Sequence, residues 1–349
     1  DLSRNNFTKV PLKSGYPQIA YPAPTADYTN AVQVTLAVQK KLGFSGLFMT
    51  SAPTITVSAT AGVTNAGDYC VIGLRKDTAP GIKVGGNTTT NMGCRAISNS
   101  RAGTDSVKEM GGTYTFNSPA VAGVGGLPTS MNGGAKMLPH HMAMPDPFAG
   151  KYPTDIPPGT QCKNFNQNTT TETTGTGQSA VTTNYLEPGC YTSFAPNGNK
   201  TYNMKSGVYY LKNTDFQLSG QDTIVSMDGG VTIILTGDTP GSVKVNGNST
   251  VNIAAQTTGT YANMLFIQSG GASVDNNNTI NGTSASKYDG AFYFPNGQLS
   301  MTGDTANMTK CTMMVGYTVV FSGNSNLQND TQGCKAAITK KGKAIRLLA

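Results

Sequence analysis

The two histidines of the chain are adjacent, His140 and His141, with Met137, Met142, Met144 and Asp146 around them. Imidazole combined with thioether is a ligand set suited to copper. The competing reading is a proline-bracketed loop whose methionines pack against a β-wall, and it is preferred. Asp222, Asp228, Asp238, Asp275, Asp289 and Asp304 could, as a pair, run glycoside hydrolysis. Each sits beside Gly, Thr or Asn, as turn residues do, and no histidine lies in that region to act as a base. No P-loop and no GxSxG-like context occurs. The run Asp275-Asn276-Asn277-Asn278 resembles half a calcium loop but lacks the glycine and closing glutamate of an EF-hand. The chain is therefore read as non-enzymatic and without a cofactor. Copper at His140, His141, Met142 and Met144, or calcium at 275–278, are the ions these residues would suit.

Cysteine chemistry points to a compartment. Cys70, Cys94, Cys162, Cys190, Cys311 and Cys334 form three sequential couples with no CxxC, so a zinc or thioredoxin-type centre is not expected. Three disulfides between sequence neighbours, Cys70–Cys94, Cys162–Cys190 and Cys311–Cys334, are the natural choice among 15 connectivities. That implies an oxidising, extracellular setting and a mature chain whose export segment has been removed.

The elements that must position these residues are short. The 349 residues include 42 Gly and, counted from the sequence, 47 Thr and 30 Asn, while charged residues make up only 12%. No apolar run is long enough to span a bilayer, and helical bundles lack their usual Ala, Glu, Lys and Leu. The net charge of +7 is mild, and without a nucleic-acid motif or aromatic interleaving no nucleic-acid partner is expected. Residues 26–43 are expected to form a capping helix, because Ala31, Val34, Val38 and Leu42 recur near helical spacing. Residues 1–25 read as an extended arm carrying Val10, Leu12, Tyr16, Ile19 and Tyr21.

From about residue 52, β-branched runs alternate with Gly and Asn. An apolar residue, any residue, Gly, then an amide or carboxylate recurs at Val84–Asn87, Leu218–Gln221, Val245–Asn248, Met301–Asp304 and Phe321–Asn324, with a looser copy at Ile280–Thr283. Its corner residues are Gly86, Asn87, Gly220, Gly247, Asn248, Gly303, Gly323 and Asn324. Glycine supplies a positive φ at a corner, and asparagine amides stack from one turn of chain to the next. A repeat on this scale predicts an all-β fold, a parallel β-helix with solenoid sections at 44–126 and 166–349. A Pro/Met/Gly-rich linker at 127–165 separates them.

The ordered series of motifs resembles the TadG-like proteins of bacterial Tad/Flp pilus loci. It comprises Asp1-Leu2-Ser3-Arg4, Tyr69–Ile72, IKVGGNTTTNMGC (82–94), Asp146–Gly150 with Cys162, LEPGCY (186–191), SGVYYL (206–211), YANMLFIQ (261–268), GAFYFPNGQLSMTG (290–303), VVFSGNSNL (319–327) and Ala344–Leu348. The resemblance implies a secreted, non-catalytic protein with a β-helical body, linked to pili or the cell surface. The family's N-terminal membrane helix is missing here, and the proline-bearing arm 9–25 replaces its Ala-rich stretch. The expected partners are further copies of the chain, joined through the arm into a filament or surface polymer, and pilus or cell-surface components. The alternative is a β-helix that binds or degrades polysaccharide.

Overall fold

The computed structural model describes residues 12–25, 28–39, 51–176, 180–274, 276–281, 283, 285–302, 308–324, 326–330 and 340–348. It is all-β and mostly parallel, and divides into two compact units. The smaller comprises Asp1–Gly67 with Lys341–Ala349, and the larger is Asp68–Lys340.

In the smaller unit, β1 (Gln18–Ala20) pairs antiparallel with β2 (Ala31–Gln39), and β2 pairs antiparallel with the first half of β3 (Thr54–Gly73). This corrects the expected helix at 26–43 over its described part. Val32, Val34, Leu36 and Val38 alternate with Gln33, Thr35 and Ala37, which is a period of two. β-Branched residues also lose rotamer freedom in a helix and fit a pleated strand. The arm is not free over its described part either. Leu12 bridges to Val38, and Ile19 stands opposite Val34. Val10 lies outside the described residues.

The larger unit is a stack built on three parallel ladders. The first runs from Cys162–Lys163 through Gly189–Tyr191, Gly207–Lys212, Val231–Thr236 and Met264–Gln268 to the strand Ala291–Met301. It continues through Met314–Phe321 to the end of β3, then Arg95–Ser98, Ala120–Gly123 and Lys136–Leu138. The order in space is thus not the order in sequence. The strands of 162–330 stack first, and those of 69–138 continue from their last rung. At this seam Phe321 pairs with Val84, and Leu327 with Thr90.

The second ladder explains the repeat. Leu218, Val245, Ile280, Met301, Phe321 and Val84 follow one another in register. These are the apolar positions of all six motif copies, and every one is buried. At the seam, Asn87 Nδ2 donates to Asn324 Oδ1 at 3.2 Å, as amide stacking requires. Gly86 and Gly323 have φ of 75° and 84°, and a Cβ on Gly86 would lie 2.7 Å from the Gly323 backbone. Gly220 and Gly247 do not share that positive φ, so those corners turn differently. Asn248 is exposed, and Gly303 lies outside the described residues.

Neighbouring strands lie about 4.8 Å apart, so the eleven strands of the first ladder span about 50 Å. Inside, Tyr209, Ile233, Phe266, Phe292, Met314 and Val71 form one continuous column of the core. Cys70–Cys94 and Cys162–Cys190 are disulfides, as expected. Cys311 is also disulfide-bonded, and Cys334 lies outside the described residues. Two or more disulfides fit an oxidising environment. Among the described residues no helix is long and apolar enough to cross a membrane.

Candidate functional site

The first ladder is apolar on both faces. Opposite its core column stand Tyr210, Ile234, Ile267, Tyr293, Val315 and Ile72, all buried although they point away from the core. Strands buried on both faces read as continuous hydrophobic runs, as VTIILT and MLFIQ do. What covers them is the segment expected to be a linker. After Lys136–Leu138, at one end of the stack, residues 139–161 run back as a strap to Cys162 at the other end.

Each stage of that path is fixed by a named contact. His140 and His141 donate backbone N–H groups to the Gly125 and Gly123 carbonyls. The Asn99 amide donates to the Met144 carbonyl at 2.7 Å and accepts from the Met144 N–H at 2.8 Å, imitating a strand pair. Asp146 Oδ1 accepts from the Phe148 N–H at 2.9 Å, and its Oδ2 accepts from the Tyr293 hydroxyl at 2.8 Å. The Phe148 ring meets Tyr293 edge-on at 5.4 Å. Further along, Tyr261 donates to the Pro153 carbonyl and Thr236 to the Thr154 carbonyl. Burial pushes the Tyr261 and Tyr293 hydroxyls well above the usual phenol range, and the Asp146 carboxylate adds to the shift at Tyr293.

Both ends of the stack are closed. At one, Met131 and Ala135 join the core and the Phe116 N–H donates to the Asn132 carbonyl. Gly133 makes that approach possible. Its φ is +114°, and a Cβ there would sit 2.3 Å from the Phe116 carbonyl oxygen. At the other end, Phe165 packs edge-on against Phe194 and Tyr202, and Asn168 Nδ2 donates to the Cys190 carbonyl. The third ladder runs from Val181–Leu186 through Thr201–Met204, Thr223–Ser226, Thr250–Ala254, Lys287–Asp289, Met308–Lys310 and Asn326–Asp330 to Thr89–Met92 and Thr115–Asn117, and Thr169–Thr174 pairs antiparallel with its first strand to leave an exposed, Thr-rich edge. Polar edge residues of this kind discourage further pairing.

Of the residues singled out for metal chemistry, His141 and Met144 are engaged within the fold, whereas the His140 and Met142 side chains are exposed. His141 Nδ1 lies 2.9 Å from the Met142 carbonyl, so it carries the proton, and Nε2 lies 3.3 Å from the Tyr69 hydroxyl. Both ring nitrogens are therefore engaged. Met144 is buried, whereas His140 is exposed. No group of three His, Cys, Asp or Glu side chains able to hold a metal ion occurs among the described residues. Asp275, the first residue of the calcium-like run, lies outside the described residues. Asn276 Oδ1 instead accepts from the Ser242 hydroxyl, and Asn278 Oδ1 from the Val243 N–H, on the neighbouring rung.

Of the six aspartates weighed for hydrolysis, Asp222 serves as a cap, as do Asp215 and Asp77 elsewhere, while Asp275 and Asp304 lie outside the described residues. Asp222 accepts from the Lys200 N–H, and Asp215 from the Ser242 N–H. Asp77 accepts from the Arg75 guanidinium, the Ala79 N–H and the Tyr317 hydroxyl. Those bonds, the Arg75 one first, hold the Asp77 carboxyl below the usual carboxylate range. A cleft of about 470 Å³ beside the strap includes Lys76, Asp77, Asn99, Asp146, Asn296 and Tyr317. A shallower groove of about 610 Å³ is lined by the amides Gln328, Asn91 and Asn117. The three amides stand in register on successive strands, with Asn117 donating to Asn91 at 2.6 Å. Two carboxylates, Asp77 and Asp146, line the cleft beside the strap, and both already accept hydrogen bonds from neighbouring groups.

Sequence reasoning missed the strap and the Tyr210–Tyr261–Tyr293 surface beneath it. The signal was present in the two-faced apolarity of VTIILT, MLFIQ and AFYF, which a one-faced strand does not need. No family model, curated protein or solved structure matches the chain.

Proposed function

We propose that the chain is a non-catalytic extracellular structural protein whose larger unit is a parallel β-helix, of the TadG-like kind found with bacterial Tad/Flp pili. The observation that carries this reading is the single column formed by Leu218, Val245, Ile280, Met301, Phe321 and Val84. One motif per rung, in register, is how a solenoid repeat builds a rigid body. The engagement of Asp222 and Asp215 as backbone caps supports a role without catalysis. Head-to-tail stacking through the larger unit would require removing both end caps. The expected homopolymer is therefore retained only as joining through the exposed edge strand β1.

Negative-stain electron microscopy of the native protein, without reductant, tests the body plan. A rod about 50 Å long for the larger unit is expected. A glycan-depolymerisation screen with and without calcium should yield no product, and any product would overturn the non-catalytic reading. Deleting the chain in its host should reduce surface pili, and unchanged piliation would overturn the pilus link. A second reading, polysaccharide binding, is favoured by the Gln328–Asn91–Asn117 amide column, since in-register amides can track a repeating polyol. Loss of glycan-array binding in Asn91→Ala would support it.

A further inference from the structure

The smaller unit carries almost all of the net charge. It holds eight of the 25 basic residues and two of the 18 acidic ones, which leaves +6 of the net +7 on it. Its sheet is also sided. Antiparallel partners point to the same face, and successive residues to opposite faces. The register Ile19↔Val34, Leu36↔Val57 and Val38↔Ile55 therefore puts every apolar β-branched residue and leucine of β1, β2 and the first half of β3 on one face. Gln33, Thr35, Thr56, Ser58 and Thr60 occupy the other.

Among the described residues the flanks of the apolar face are open. Ile55 is 59% exposed, Val57 58%, Ile19 58% and Val32 40%. The strand Lys340–Leu348 lies beside β3, where a Cβ on Gly62 would meet Leu348 on the polar face, so the alternate residues Lys341, Lys343, Ile345 and Leu347 join the apolar one; both lysines are exposed, and Ile345 and Leu347 are 62% and 80% exposed. A contiguous apolar patch of this kind marks an interaction surface.

We propose that this face docks on the surface of an anionic lipid bilayer. Charge identifies the occupant. A second copy packed face to face would press two such +6 units together and, unlike joining at the β1 edge, would gain no backbone hydrogen bonds to offset the like-charge repulsion. A nucleic acid would satisfy the lysines but leave valine and isoleucine in water. An anionic bilayer surface takes both, because the acyl boundary accepts the apolar side chains and the headgroups attract the lysines. The unit lies on the bilayer and does not span it. This inference is independent of the reading given for the larger unit.

The test is flotation of the full chain with vesicles of phosphatidylcholine alone or mixed with phosphatidylglycerol. Binding to the mixed vesicles, weakened at about 0.5 M salt, is expected, with little binding to phosphatidylcholine. Ile55→Thr/Val57→Thr keeps β-branched residues at exposed positions and should lower binding more than about tenfold. Lys341→Gln/Lys343→Gln changes no buried group and should lower binding several-fold. Absence of binding to the mixed vesicles overturns the proposal, as does binding unchanged in both variants. Sedimentation velocity showing a dimer that Ile55→Thr/Val57→Thr dissolves would make a second copy the occupant and likewise overturn it.

Discussion

Truncating Phe148 to alanine tests whether the strap is part of the core or merely laid upon it. The side chain is 5% exposed and contacts Tyr293 at 5.4 Å and Tyr152 at 5.7 Å. Both neighbours are anchored, Tyr293 in the first ladder and Tyr152 on the strap beside Tyr261. The surroundings have little freedom to collapse into the space left behind. Removing a buried phenylalanine at such a site costs about 3–5 kcal/mol. An exposed position would cost within about 0.5 kcal/mol. With a guanidinium m-value of about 4–6 kcal/mol/M, the midpoint should fall by roughly 0.5–1.2 M. The chain has no tryptophan, so far-UV circular dichroism is the readout, under oxidising conditions. Trypsin cleavage at the exposed Lys151 should accelerate in parallel. A midpoint within about 0.1 M of the parent at unchanged m would refute the view that the strap completes the core.

Gly133→Ala should destabilise the capped end by more than about 1 kcal/mol, because φ is +114° and the new Cβ would meet the Phe116 carbonyl. Gly103→Ala, which meets nothing within 4 Å and has no positive φ, is the matched control in the same thermal melts. Removing the Cys162–Cys190 bridge, which closes a separation of 28 residues, should cost about 3.6 kcal/mol, measured by denaturation of the Cys162→Ser/Cys190→Ser variant. Burial raises the folded-state hydroxyls of Tyr191, Tyr209, Tyr261, Tyr288 and Tyr293, and that of Tyr114 to about 12. Their protonated forms are favoured in the folded chain, so stability is fully present below pH 10 and is lost as pH rises beyond it. A phenolate titration at 295 nm should show these groups ionising only with unfolding, and a smooth titration near pH 10 would contradict their burial.

Legibility in the sequence followed periodicity. The six-copy motif was readable because each copy repeats one physical demand, an inward apolar residue followed by a corner, and all six occupy one column. The disulfide couples at 70–94 and 162–190 were readable because adjacent rungs bring such neighbours together. At 31–39 two periods compete, since Ala31, Val34 and Val38 fit a helix while Val32, Val34, Leu36 and Val38 fit a strand. Pairing with β3 decides the matter, and no local signal contains it. The strap has no period at all. Met144 and Phe148 are buried by partners far away in sequence, so nothing near them marks the path. The histidines seemed chemical because they are rare, yet His141 only ties the start of the strap to Tyr69.

The seam has a consequence for how the chain matures. The rungs made first, 69–138, rest on the rung made last, 314–330, with Asn87 and Asn324 separated by 237 residues. A ribosome or export channel that delivers the chain from its N-terminus therefore releases strands whose lower neighbour does not yet exist. They must wait as unpaired edges until about the last tenth of the chain arrives. Loop closure over such a distance is slow, and waiting edges are open to the wrong partner. The seam also acts as a checkpoint for completeness. A chain cut short before residue 314 lacks the rung that joins its two halves, and it exposes two raw edges to quality-control proteases.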